Sequence, residues 1–240
     1  MGGRGTDVAR EAADLVLLDD AFSSIVTGIR LGRRIYDNIR KASVFILAVH
    51  IPIAGLSMIP VMTGYWPLLL LPVHIVFLEF IIDPACALVF ESERAEPDVM
   101  RRKPRAANAR LFSRRMVAVG VAQGVGMLVG CLTTFLWWFG SVGVDQLRAL
   151  TFVTLVAAVL TLIIVNRSWT ESALEMLRER NMPFFVVTLG STVMLALALG
   201  VPMMSDLFSF AAFPVEFLVS AVGCGISSVV WFEWFKKSLH

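Results

Sequence analysis

Glu79 and Asp83 stand four residues apart inside a long apolar run, and no other side chains in the sequence offer chemistry at so telling a spacing. On a helix that interval places both carboxylates on one face, a turn apart. A carboxylate in a hydrocarbon core is costly, so it should face a bundle interior or a wet path and serve a purpose there. Two such groups in low dielectric repel each other unless a cation sits between them or one holds a proton. Hard cations take carboxylate and carbonyl oxygens, and Pro84, which lacks an N–H, leaves the Phe80 carbonyl one turn back as a further oxygen ligand. The pair reads as a cation or proton site; the plainer alternative is a polar pair that only holds helices together. His50 lies on the preceding apolar run and is a third candidate ligand if the two runs form a hairpin. It is equally well explained as a packing hydrogen-bond donor. His74, near the end of its run, reads as interfacial or packing, and Glu216, at the start of the last run, as a solvated carboxylate.

The elements that must hold these residues are apolar helices. Of the 240 residues, 57% are hydrophobic and only 17% are charged, with mean hydropathy +0.76; a water-soluble domain carries about 25% charged residues. Six apolar stretches, 42–63, 68–90, 116–139, 149–165, 183–202 and 213–232, lie close to the roughly 20 residues a helix needs to cross a bilayer, the fourth near the lower limit. Unpaired backbone groups are not tolerated in lipid, and the short alternating segments of a barrel are absent, so the fold class is all-α membrane protein with six transmembrane helices. Pro52 and Pro60 in the first span, and Pro72 and Pro84 in the second, predict kinks or local unwinding.

The basic residues fix an expected orientation. Arg30, Arg33, Arg34, Arg40 and Lys41 precede the first span; Arg94, Arg101, Arg102, Lys103, Arg105, Arg110, Arg114 and Arg115 follow the second; Arg167, Arg178 and Arg180 follow the fourth; Lys236 and Lys237 end the chain. All four sets fall on one side, which places both termini in the cytoplasm; Arg148, at a span edge, is the marginal case. The loop 91–115 also holds Glu91, Glu93, Glu96 and Asp98, and a solvated positive-inside loop explains it better than a dedicated lipid-binding patch. A net charge of +2 does not point to nucleic acid. Cys86, Cys131 and Cys224 are scattered through apolar runs and imply neither a disulfide framework nor a metal centre. The first forty residues are polar: Gly2, Gly3 and Gly5 predict a turn, Asp7–Ala13 a helix, Leu15–Leu18 a strand, and Ala21 onward a long helix leading into the membrane. A lone strand has no ladder partner, which makes this segment look like the end of a larger domain.

In order along the chain, MGGRGTDVAREAADLVLLDD over residues 1–20, Phe22–Val26 and Gly32–Ile39 resemble the end of the phosphorylation domain and the stalk helix of P-type cation-transporting ATPases. Leu71–Asp83 is similar to the sixth transmembrane helix of calcium-pump-like members, and Glu96–Met100 with Arg102–Arg105 to the loop after it. The resemblance covers essentially the whole chain, densest over residues 1–110. It implies a short α/β remnant of the HAD-like phosphorylation domain over residues 1–20, a stalk helix over 21–41, and the family's fifth to tenth membrane helices over 42–235. It also implies that Glu79 and Asp83 occupy the positions of an Asn and an Asp cation ligand, that Ile82 stands where calcium pumps have a Thr ligand, and that His50 lies near a fifth-helix Asn ligand. The eighth-helix acidic ligand of two-site calcium pumps has no counterpart in Thr151–Val165, which points to one cation site at most.

The DKTGT, TGE and GDGxND motifs and a nucleotide-binding domain are not in these 240 residues, so no catalytic residue is assigned and the chain alone is not expected to hydrolyse ATP. ATP and magnesium belong to the complete pump. The expected partners are the lipid bilayer, the transported cation, and the N-terminal part of the pump from the same gene or a separate chain, in what resembles a plasma-membrane protein. A second reading is a non-enzymatic six-helix membrane protein that binds cations or regulates a full-length pump. A small transporter with its own cycle ranks below both, since no internal repeat links the first three spans to the last three.

Overall fold

The computed structural model describes residues 5–19, 21–104 and 112–236, and every regular element among them is a helix. Arg105, Arg110, Lys237 and most of the glycine-rich start lie outside the described residues. α1 (Asp7–Glu11) begins where the Thr6 hydroxyl accepts from the Ala9 N–H at 3.3 Å, satisfying one of the donors a helix start leaves open. The strand expected over Leu15–Leu18 does not form. Its backbone groups have no neighbouring strand to pair with among the described residues, and Leu15 and Leu18 are 64% and 88% exposed.

α2 (Ser23–Thr63) is one helix of 41 residues, so its polar first half and the first apolar span are a single rod about 60 Å long. Gly64, at φ 73°, ends it in the left-handed conformation, its N–H returning to the Pro60 carbonyl at 3.1 Å. The rod runs through Pro52 and Pro60 as one unbroken helix. Pro52 deprives the Ala48 carbonyl of its helical donor, and there the neighbouring helix brings up Gly124: a Cβ on that glycine would lie 2.5 Å from the Ala48 oxygen. Only a bare Cα–H fits against the freed carbonyl.

The second span is α3 (Pro72–Pro84) continued by a π-helical segment, Ala85–Phe90. Here the predicted interruption does occur, immediately after Pro84. α4 (Arg114–Trp138) and α5 (Val144–Asn166) follow. α6 (Ala173–Arg178) is a single turn and a half started by the Ser172 and Glu175 capping pair. α7 (Met182–Gly200) and α8 (Pro202–Leu207) lead to the last span, α9 (Val215–Val230) with α10 (Phe232–Lys236). Among the described residues six helices are thus long and apolar enough to cross a membrane, as expected.

α5 is the axis of the bundle. It packs on α9, α4, α2 and α7 and is buried around nearly its whole circumference, as a helix apolar on all sides should be. It is also longer than the expected 149–165, because Arg148 is neutralised in place: its Nη1 meets Asp145 at 2.6 Å and the Ser209 carbonyl at 2.9 Å, and its Nε meets the Leu68 carbonyl at 3.1 Å. Inside the bundle Gln123 of α4 and Asn166 of α5 exchange amide hydrogen bonds at 3.0 and 3.1 Å, and Thr154 donates to Thr134 at 3.0 Å. These two pairs answer each other across the α4/α5 contact. The outer faces of α4, α7 and α9 expose Val121, Val125, Val186, Leu189 and Val219, as lipid-facing surfaces do.

Candidate functional site

The carboxylate pair sits on the side of α3 that this chain leaves open. Phe77, Leu78, Ile81 and Ile82 are buried against the bundle, whereas Val76 is 57% and Phe80 63% exposed. Glu79 is half-buried and Asp83 exposed on that second side. Neither makes a hydrogen bond or an ion pair among the described residues. Pro84 donates nothing to Phe80, and the next N–H, that of Ala85, turns to the Ile81 and Ile82 carbonyls. The Phe80 carbonyl is thus left by both of its nearest helical donors, on the same stretch as two unpaired carboxylates.

The other predicted residues are placed differently. His50 is exposed, with Nδ1 2.8 Å from the Ile46 carbonyl of its own helix. Among the described residues no three His, Cys, Asp or Glu side chains come together, so His50 does not join Glu79 and Asp83 in one cluster. Ile82 is 2% exposed and turned into the core. His74 is fully buried at the opposite end of the bundle from the basic loops. Its Nδ1 accepts from the Leu71 N–H at 2.9 Å and its Nε2 donates to the Phe208 carbonyl at 2.9 Å, with the ring stacked on Phe210 at 5.0 Å. That is a packing role. Glu216 is exposed in the first turn of α9.

A second concentration of charge lies in the segment after the second span. The segment 91–102, expected to be a solvated loop, is docked: Glu93 and Glu96 are each 4% exposed. Lys41 of α2, 1% exposed, reaches Glu96 at 2.6 Å. Glu96 also accepts from Ser168 at 2.9 Å, from the Trp169 N–H at 3.1 Å and from the Thr170 hydroxyl. Arg167 pairs with Glu93, which accepts from Asn181 at 2.6 Å as well, and Arg167 Nη1 donates to the Met176 carbonyl at 2.7 Å. Arg102 bridges Asp37 and Asp98, each at 2.6 Å. Lys236 of α10 donates to the Val165 and Glu171 carbonyls at 2.8 and 3.1 Å. Arg33, Arg34 and Asn38 of α2 donate to the carbonyls of Val99, Arg102, Glu93, Ser92 and Glu91.

This assembly is a fastening. Burial pushes the Glu96 carboxyl up, but Lys41 and the hydrogen bonds from Thr170 and Trp169 outweigh it and hold it at about 2, below the ordinary 4.5. The void enclosed among Lys41, Glu93, Glu96 and Arg167 is about 10 Å³, room for one water. It ties the polar half of α2, the 91–102 segment, the 167–181 connection and the end of α10 together at one end of the bundle. The only signal for it in the sequence was that four acids were interleaved among the basic residues of one loop.

A family model described as the C-terminus of cation transporting ATPases matches residues 67–238. The chain is 31% identical to a calcium-transporting ATPase of Bacillus subtilis over 88% of its own length and 24% of that protein's. It is 32% identical to calcium-transporting ATPase 1 of Yarrowia lipolytica, over 99% of this chain and 26% of the other. Over 52% of its length it is 38% identical to the alpha-3 subunit of a sodium/potassium-transporting ATPase of Gallus gallus, 13% of which it covers. The chain thus spans about a quarter or less of the length of these relatives.

Proposed function

The chain belongs to the cation-transporting ATPases as their C-terminal membrane part, and from that premise we propose that it supplies part of the ion-binding site and the stalk coupling of an ATP-driven cation pump. Glu79 and Asp83 are the ion ligands in this reading, with the Phe80 carbonyl beside them. What carries it is the contrast within α3: two carboxylates a turn apart, in an apolar span, on a face that none of the described residues covers or neutralises. In lipid such a face is untenable, so another part of the pump closes over it and a cation balances the charge. His50, exposed on the neighbouring span with its ring on the Ile46 carbonyl, is kept as a third ligand only if it leaves that carbonyl when the rest of the pump closes the site. Residues 1–20 then end the phosphorylation domain and 21–41 form the stalk, both termini lying on the cytoplasmic side of the plasma membrane.

ATP and magnesium act on the N-terminal part of the pump, and the chain alone hydrolyses no ATP. The relatives include calcium-transporting and sodium/potassium-transporting pumps, and the ligand set here, oxygen-rich and short of one side, suits any hard cation. The test uses the complete pump carrying Glu79→Gln or Asp83→Asn, with cation-stimulated phosphate release measured against cation concentration. A rise in the half-maximal cation concentration of roughly tenfold or more is expected, the worth of one charge-assisted ligand. Unaltered cation dependence in both variants would sink the assignment.

A further inference from the structure

Beside the fastening, at the same end of the bundle, lies a cleft of about 330 Å³ walled by α2, α4, α10 and the segments after the second and fourth spans. That volume is at the lower end of what ligand sites occupy. Its character changes along its length. Toward the membrane the walls are Val44, Met116, Val119 and Phe232; toward the loops they are Arg40, Arg102, Arg115 and Lys236. Arg40 lies over the Trp169 ring at 4.9 Å, so an aromatic marks the boundary between the two halves, as at a bilayer surface.

The charges do not cancel. Arg102 is matched by Asp98 and by Asp37, which Arg40 approaches at 4.0 Å, and Lys236 by Glu233 at 3.1 Å. Four cations thus meet three acids, and the one left over is Arg115, exposed and without an ion-pair partner among the described residues. Arg115 also sits in the first turn of α4, where the backbone N–H groups of residues 114 and 115 have no intrahelical acceptor.

We propose that this cleft binds an acidic phospholipid, the phosphate held by Arg115 with the open first turn of α4 and the chain laid along Val44 and Val119. A single phosphodiester carries the one negative charge that the surplus calls for, and its ester-linked tail suits the apolar half, which free phosphate would leave empty. The site is a built cleft between helices and differs from a run of loop charge. It rests on the membrane reading and is independent of the ion-site reading, so either can fail without the other.

The test is native mass spectrometry of the purified chain released from nanodiscs of equal phosphatidylglycerol and phosphatidylcholine. Phosphatidylglycerol should be retained over phosphatidylcholine by roughly fivefold, the weight of one basic side chain near an anionic surface. Arg115→Gln should abolish that preference; the side chain is exposed and unpaired, so the fold does not depend on it. Val119→Trp, which fills the apolar half, should lower retention with the charge intact. Equal retention of the two lipids, or a preference indifferent to Arg115→Gln, overturns the proposal. Displacement of the bound lipid by excess glycerol phosphate overturns it too, by identifying a site for soluble phosphates.

Discussion

Two regions of this molecule hold acidic side chains out of bulk water, and they treat them in opposite ways. At the fastening, Glu93 and Glu96 are each met by a cation and by further donors, all supplied by the chain itself. On α3, Glu79 and Asp83 lie in an apolar span with no hydrogen-bond or ion-pair partner among the described residues. Charge used for cohesion is closed within the chain, whereas charge kept for an outside ligand is left open. The distinction cannot be drawn from residue type, since both regions use carboxylates; it lies in what surrounds them.

The comparison breaks most visibly at Arg167. Arg167→Met leaves Glu93 buried with only Asn181, and removing one partner of a buried pair costs about 3–5 kcal/mol. A large fall in the thermal unfolding midpoint in detergent is expected, with much of it restored when Glu93→Leu is added. If the single variant unfolds like the parent, the fastening is not cohesive. Acid should act in the same direction. Because the Glu96 carboxyl is depressed in the folded chain, its contribution is present above the ordinary 4.5 and is lost as pH falls toward about 2. Melting followed over that window should show stability draining away, and Glu96→Gln, less stable at neutral pH, should remove that part of the slope.

The interior amide pair is smaller. Gln123→Leu strands the Asn166 amide in the α4/α5 contact and should cost about 1 kcal/mol, in the range of interhelical hydrogen bonds in membranes. At the open site, finally, the stability effect should nearly vanish: Glu79→Gln with Asp83→Asn should stay within about 0.5 kcal/mol of the parent. A marked loss there would mean the two carboxylates are cohesive after all, and the contrast between the regions would collapse.

What was legible in the sequence follows from the range of the forces involved. The spans could be read because hydrophobic length is a local property, and the pairing of Glu79 with Asp83 because a helical turn is four residues. The fourth span starts five residues before its expected start, since Asp145 and Arg148 argue for water and only the fold brings the Leu68 and Ser209 carbonyls to Arg148. Leu15–Leu18 has the composition of a strand, yet a strand is made by its neighbour, and none is present among the described residues. The fastening was illegible for the same reason. Lys41 is 55 residues from Glu96 and Arg167 is 74 from Glu93, and nothing near any of the four announces the other. Pro84 made its interruption and Pro52 did not, because α4 presents Gly124 to the carbonyl that Pro52 freed.

The polar half of α2 leaves part of the chain free to vary. Arg33, Arg34 and Asn38 grip the 91–102 segment entirely through its main-chain oxygens, and no side chain of that segment takes part in those bonds. Such a grip is blind to the letters of the segment and sensitive only to its path. Substitutions at Ser92 or Met100 that keep the backbone course should pass unnoticed by these bonds, while an inserted or deleted residue, or a proline that redirects the trace, would release them together and leave the rod only its side-chain pairs with Glu96 and Arg102.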